Sequence, residues 1–265
     1  MKISKAELRS FRSLSQKKVR QTEKKFVLEG WRALKEVLNS STRMDLVAVL
    51  PRFLKDPDYA KLLSDVERRG IPIRELDEIQ LNQVADTMHA QGVVAIVQQR
   101  NREERDLSLD HASLIVAADA VSDPGNLGSI LRTADWFNAD AVLLGRGCVE
   151  LYNEKVVRST VGSIFHVPVV ESVDLPVSLK GLKKKGFRIV GLSGDGKTEY
   201  TNRSLSKKEV FVLGSEAHGI SKETRVAVDE IVRIPRFGNA ESLNVGVACG
   251  IILAHARAQQ QKKGS

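Results

Sequence analysis

Residues 113–145, SLIVAADAVSDPGNLGSILRTADWFNADAVLLG, decide the fold. Residues 114–118 are apolar without alternation, and residues 141–145 repeat that pattern. Between them Leu127, Ile130, Leu131, Ala134 and Phe137 fall at i, i+3, i+4, i+7 and i+10, which predicts a helix over 126–137 that buries one face. A helix between two strands that are apolar on both faces is the repeating unit of a parallel sheet covered by helices. The alternation continues with helices near 153–161 and 177–185. The strands between and after them are HVPVV (166–170), FRIVGL (187–192), VFVLG (210–214) and EIVRIP (230–235), and a long helix closes the chain. Such sheets bind ligands beyond the carboxyl ends of their strands. The loops after Ala118, Leu192, Leu213 and Ile234 are therefore where chemistry is expected.

Upstream, FVLEGWRALKEVLN (26–39) carries Phe26, Leu34, Val37 and Leu38 at near-helical spacing. An apolar run at 46–50, a helix pattern over 59–69, IPIREL (71–76) and GVVAIVQQ (92–99) come next, which makes a smaller α/β unit. Residues 98–112, QQRNREERDLSLDHA, are densely charged without an apolar period and read as a linker. The predicted organisation is a basic leader at 1–19, a small α/β domain at 20–98, a linker at 99–112 and a larger α/β domain at 113–262.

The 265 residues are 42% hydrophobic and 28% charged, a soluble globular composition that argues against disordered and fibrous classes. The net charge of +8 is concentrated at the start: residues 1–35 hold eleven Lys or Arg against Glu7, Glu23 and Glu29, while the remaining residues balance. A basic start on a neutral body is the footprint of a polyanion binder, with Lys17, Lys18, Arg20, Lys24, Lys25 and Arg32 as the side chains expected to meet the polyanion. Cys148 and Cys249 make neither a disulfide framework nor a zinc set, so no metal is expected and a reducing compartment, the cytoplasm, fits best. The sequence offers no membrane span or secretory signal, although RSFRSLSQKKVR (9–20) also has the composition of an organellar transit peptide.

GLSGDGKT (191–198) matches the phosphate-loop pattern letter for letter and comes directly after a strand. A phosphate loop needs a helix next, because the loop works by aiming backbone N–H groups and a helix N-terminus at phosphate. The adjoining residues, EYTNRSLSKKEV (199–210), have only Tyr200 and Leu205 as apolar anchors, and the next strand brings no Asp for magnesium. A nucleotide triphosphatase is thereby disfavoured, and the stretch reads as a glycine-rich strand-end turn.

Three other strand-end loops carry polar side chains together: Asn126 and Arg132 in DPGNLGSILRTA (123–134), Glu216 and Gly219 in LGSEAHGIS (213–221), and Pro235, Ser242 and Asn244 in the start of IPRFGNAESLNVGVACGIILAHA (234–256). This trio, in this order, resembles the three signature motifs of the SpoU (TrmH-like) RNA ribose 2′-O-methyltransferases of the SPOUT class. VVRSTVGSIFHVPVV (156–170) resembles the family's segment between the first two motifs. Residues 20–97, from RQTEKKFVLEGWRALKEVL to HAQGVVAIV, resemble the L30e-like substrate-binding domain that many members carry in front.

The resemblance implies a trefoil-knotted methyltransferase domain and S-adenosylmethionine as cofactor, held by Leu192, Ser193, Gly214, Glu216, Gly219, Ile234, Pro235, Ser242 and Leu243. It implies Arg132, Asn126, Glu216, Ser242 and Asn244 as catalytic residues. The family assigns the arginine to activation of the ribose hydroxyl. Because a guanidinium is a poor proton acceptor, a grip on the neighbouring phosphate and stabilisation of the developing alkoxide is the better physical role. The resemblance further implies a homodimer through the last helix and the first motif. The expected substrate is structured RNA, large-subunit ribosomal RNA ahead of tRNA, and the basic side chains of the leader and front domain would then be RNA-binding. A nonenzymatic ribosome-associated RNA-binding protein is the alternative from another class.

Overall fold

The computed structural model describes residues 1–85 and 91–264, so positions 86–90 of the front-domain resemblance lie outside the described residues. The chain forms two compact units, one of residues 1–100 with 152–165 and one of 101–151 with 166–265.

The first unit begins with α1 (Lys5–Ser13) and α2 (Lys17–Glu23). Ser4 and Glu7 form a capping box that starts α1, each side chain bonding the other's backbone N–H. Ile3, Phe11 and Leu14 are buried with Leu46, Leu50 and Leu81, so the basic leader is a folded part of this unit and not a separate tail. The chain continues through β1 (Lys25–Glu29), α3 (Trp31–Leu38), β2 (Met44–Val49), α4 (Pro51–Leu54), α5 (Pro57–Arg68), β3 (Ile73–Glu75), α6 (Glu78–Val84) and β4 (Val93–Gln98). Its sheet has the order β1-β4-β2-β3, with β2 and β3 parallel and the other pairs antiparallel.

The structure corrects two expectations in this unit. The stretch from Phe26 to Glu29, read as the start of a helix, is strand: Phe26, Val27 and Leu28 are all buried, and Gly30 at φ 98° breaks the chain before α3 begins. A helix would have turned one of three consecutive apolar side chains to water, whereas a strand covered on both faces buries them all. Arg20, expected to meet RNA, is buried, and its Nη1 donates to the carbonyls of Leu14 and Ser15. It holds the turn between α1 and α2. Lys25 pairs with Asp45 at 2.7 Å, whereas Lys17, Lys18, Lys24 and Arg32 are exposed.

In the second unit the polar stretch after β4 contributes Leu109 and Ala112 to the core, then gives way to β5 (Leu114–Ala118), α7 (Pro124–Trp136) and β6 (Ala141–Gly145). The chain then leaves for α8 (Glu154–Thr160), which belongs to the first unit. There Tyr152 lies against Phe26 with ring centroids 4.7 Å apart, Phe165 stacks on the same ring, and the Tyr152 hydroxyl and the Arg100 backbone bond each other twice. This excursion interrupts the domain expected over 113–262. The second unit resumes with β7 (Val169–Val173), α9 (Leu175–Lys184), β8 (Arg188–Leu192), β9 (Thr198–Glu199), β10 (Glu209–Leu213), α10 (Lys222–Arg225), β11 (Glu230–Arg233) and α11 (Val245–Gly264).

These strands form one parallel sheet, order β7-β6-β5-β10-β8-β11-β9. Although β10 comes after β8 in sequence, it inserts between β5 and β8, which brings the carboxyl ends of β5, β8, β10 and β11 together. The phosphate-loop look-alike is the turn from β8 into β9, with no α-helix between. Among the described residues no helix is long and apolar enough to cross a membrane.

Candidate active site

The carboxyl ends of β5, β10 and β11 each release a loop, and the polar side chains of the three loops bond to one another. Asp123 caps α7, its Oδ1 accepting the Asn126 N–H at 2.8 Å, and Pro124 fits the first helical position because its missing N–H is not needed there. This fixes Asn126 in the opening turn. Its Nδ2 donates to Glu216 Oε1 at 2.7 Å, and its Oδ1 accepts from Asn244 Nδ2 at 2.7 Å. Asn244 in turn starts α11, its Oδ1 accepting the N–H groups of Gly246 and Val247. At Gly246 the two helices touch: a Cβ there would lie 2.9 Å from Ser129 Cβ. Glu216, Asn126 and Asn244 therefore form one chain of hydrogen bonds across three loops that lie far apart in sequence.

Arg132 does not join that chain. It is exposed, and among the described residues it makes no hydrogen bond or ion pair. Six residues beyond Asn126, it stands about 9 Å further along α7 and about a third of a turn around it, on the face that also exposes Trp136. Trp136 is 83% exposed, far more than a tryptophan on a covered helix. Ser242 is exposed as well, and Leu192, Ser193, Gly214, Ile234 and Pro235 are partly so. Leu243 is 49% exposed and Gly219 lies at the open end of its loop. Half-open apolar side chains beside loop backbone at three neighbouring strand ends offer what an uncharged purine ring needs, an apolar wall and main-chain donors and acceptors. Asp123, whose carboxylate sets the position of Asn126, is absent from the residues singled out by sequence; its place directly before Pro124 at a helix start is the signal that could have found it.

The thiols offer no nucleophile. Cys148 donates to the Ala118 carbonyl at 3.3 Å and burial pushes its pKa up to about 11, while burial pushes Cys249 up to about 12.

Residues 113–254 match the SpoU rRNA Methylase family, and residues 5–95 match the MRM3-like substrate binding domain. The chain belongs to the SpoU rRNA methylase family. It is 33% identical over 250 residues to the 23S rRNA (guanosine(2553)-2′-O)-methyltransferase RlmP of Bacillus subtilis, covering 94% of this chain and 95% of that one. It is 29% identical over 239 residues to the 23S rRNA (guanosine-2′-O-)-methyltransferase RlmB of Vibrio cholerae, covering 88% and 97%. Among solved structures, the AdoMet-bound rRNA methyltransferase from Sinorhizobium meliloti has a TM-score of 0.84 at 28% identity, over 95% of this chain and 94% of that one. In this SpoU chain the substrate-binding match starts at residue 5, in keeping with the folded, not tail-like, state of α1.

Proposed function

We propose that the protein transfers a methyl group from S-adenosylmethionine to a ribose 2′-hydroxyl of large-subunit ribosomal RNA. The observation that carries this reading is the Glu216–Asn126–Asn244 chain beside an exposed Arg132 that has no partner among the described residues. The activities of the relatives on 23S rRNA and the front domain over 5–95 favour ribosomal RNA over tRNA.

The cofactor's part is to present an electrophilic methyl group. Leu192, Ser193, Gly214, Gly219, Ile234, Pro235 and Leu243, with Ser242, would hold it by backbone groups and apolar contact. Glu216 and Asn244 keep the Asn126 amide oriented, so that it can fix the nucleotide without reorganising during the reaction. Arg132 grips the phosphate next to the reacting ribose and stabilises the negative charge that grows on the 2′-oxygen as its proton passes to solvent water.

The protein acts as a homodimer in this reading. On α11 Cys249, Ile252, Leu253 and Ala256 are buried, yet Val247 remains half exposed, and Trp136 projects from the neighbouring α7. A second copy covering this face would bury Trp136 beside Arg132. Sedimentation at micromolar concentration should give a dimer and Trp136→Glu a monomer; a wild-type monomer would refute the arrangement. Two unpaired thiols, one buried and one half-buried, suit a reducing cytoplasm.

The reading is tested by incubating the purified protein with labelled S-adenosylmethionine and either rRNA or tRNA, then mapping 2′-O-methyl groups by mass spectrometry. Label in tRNA alone would overturn the choice of substrate, and label in neither would overturn the activity. Calorimetry with S-adenosylmethionine separates the enzyme from a nonenzymatic RNA-binding protein, which would not bind it.

A further inference from the structure

The loop that carries Glu216 is clamped at both ends by one residue outside the three sequence motifs. Asp119 stands directly after β5, and its N–H donates to the carbonyl of Leu213, where the loop begins, at 2.8 Å. Its Oδ2 accepts the N–H of Ser221, where the loop ends, at 2.8 Å. Its exposure is only 6%, so the carboxylate is largely stripped of water, and a hydrogen bond to an ionised acceptor in such a place is among the stronger kinds. Among the described residues the Ser221 amide is the one hydrogen-bond partner of this side chain.

Between the clamped ends the loop closes on itself. Ser215 and Gly219 exchange two backbone hydrogen bonds, and the Ser215 hydroxyl accepts the His218 N–H. Gly214 is pressed so closely onto the returning arm of the loop that a Cβ would lie 2.1 Å from the Gly219 carbonyl carbon, leaving no room for any other residue. The loop is therefore stiff in itself, and its orientation depends on how its ends are held. Asp119 also begins the segment that leads through Asp123 to Asn126. The same residue thus ties the base of the Asn126 loop to both ends of the Glu216 loop.

We propose that Asp119 is a positioning residue that latches loop 214–221 to the end of β5 and so sets Glu216 against Asn126. It acts through the Ser221 amide and touches neither RNA nor cofactor. This role rests on the methyltransferase reading for its catalytic consequence, but the latch itself is measurable without activity.

The test uses the full chain, four single variants and one double variant, with kcat and KM for S-adenosylmethionine and rRNA, melting temperature, and hydrogen exchange at residues 214–221. Asp119→Ala removes the acceptor. Asp119→Asn keeps a carbonyl acceptor. Ser221→Pro removes the donor N–H from the main chain, and the φ of −59° at that position suits proline. Ser221→Ala controls for the lost hydroxyl, which caps α10 through Thr224.

Asp119→Ala and Ser221→Pro should each lower kcat about tenfold or more while the KM for rRNA stays within about twofold, the pattern of lost transition-state positioning. Asp119→Asn should recover most of the rate, and Ser221→Ala should stay near wild type. The double variant Asp119→Ala/Ser221→Pro should be no worse than either single variant, because both break one bond. Losses that multiply, or a Ser221→Pro protein as active as Ser221→Ala, would overturn the latch. Should Asp119→Ala fail to fold, the Ser221 pair decides alone. Should the wild type transfer no methyl group, the activity fails, and hydrogen exchange still judges the latch: Asp119→Ala and Ser221→Pro must speed exchange across 214–221, and unchanged exchange refutes it.

Discussion

At the scale of single residues, the site divides into groups that are held and one that is not. Asn126, Glu216 and Asn244 fix one another, whereas Arg132 has no partner among the described residues. An unpaired guanidinium beside a preorganised polar chain is suited to an anion that arrives with the substrate. Arg132→Ala should therefore lower methyl transfer by about a hundredfold or more while leaving the affinity for S-adenosylmethionine within about twofold. Rate measurements under saturating cofactor, paired with calorimetry, check both halves; a variant that keeps a tenth of the rate would remove Arg132 from the chemistry. The three side chains that bond across the candidate cleft, Asn126, Glu216 and Asn244, were legible in the sequence because they stand in polar stretches beyond the ends of apolar strands. Their hydrogen bonding was only partly legible. Glu216 and Asn126 are 90 positions apart, and nothing local reports that their loops meet.

At the scale of elements, the turn from β8 to β10 rests on a buried ion pair. Both side chains are almost completely buried: Arg203 donates through Nη1 and Nη2 to the two carboxylate oxygens of Glu209, and its Nε reaches Glu230 at 3.2 Å. Removing one member strands the other charge without water, so Arg203→Ala should cost about 3–5 kcal/mol in urea unfolding. Replacing Arg203 and Glu209 together by methionine should cost much less. A second tie joins α9, β8 and β11 through Asp229. Burial alone would raise its pKa, but hydrogen bonds from Lys183 and the Ile189 N–H, with the charges of Lys183 and Arg188, hold the carboxyl below its ordinary 3.8. With the folded pKa below the unfolded one, the unfolded chain takes up the proton first. The stabilisation is thus present above about pH 4 and is lost as pH falls through the folded value. Asp229→Asn should flatten the acid end of the stability curve, and parallel curves for both proteins would refute the tie. Element boundaries in the second unit were close to those read from periodicity, since five-residue apolar runs and a helical stripe are unambiguous. The misreading at β1 has a physical source: Phe26 falls in phase with the stripe of α3 by coincidence, and only the pairing of Phe26 with Val97 across the sheet distinguishes strand from helix.

At the scale of the whole molecule, charge and chain path matter most. Lys17, Lys18 and Lys24 are exposed on the first unit, and Arg20 between them is not. The net charge of the opening residues therefore overstates what RNA can reach. Substituting Lys17→Gln, Lys18→Gln and Lys24→Asn together should weaken rRNA binding and reduce the slope of log affinity against log salt by up to about two. Asparagine is chosen at position 24 because the backbone there is left-handed, with φ 56°. An unchanged slope would assign these lysines to solvent alone. Deleting the leader is the wrong experiment, since Phe11 and Leu14 would leave the core with it.

The excursion of residues 152–165 has a consequence for the protein's integrity. The chain passes between the units three times, at 100–101, 151–152 and 165–166, and the middle piece is packed among side chains of the first unit. A protease that cuts once within the charged stretch 101–112 would separate the sequence into two fragments without separating the protein. The carboxyl-terminal fragment would still keep Tyr152 and Phe165 inserted beside Phe26. The nicked pair should therefore migrate as one species on a sizing column and come apart only in denaturant, and Phe26→Ala should release the fragments at lower denaturant. Fragments that part freely in buffer would show that the insertion carries no such grip. For the same reason, the two halves expressed as separate chains are expected to find each other and reconstitute, a form of complementation that two beads on a single string would not allow.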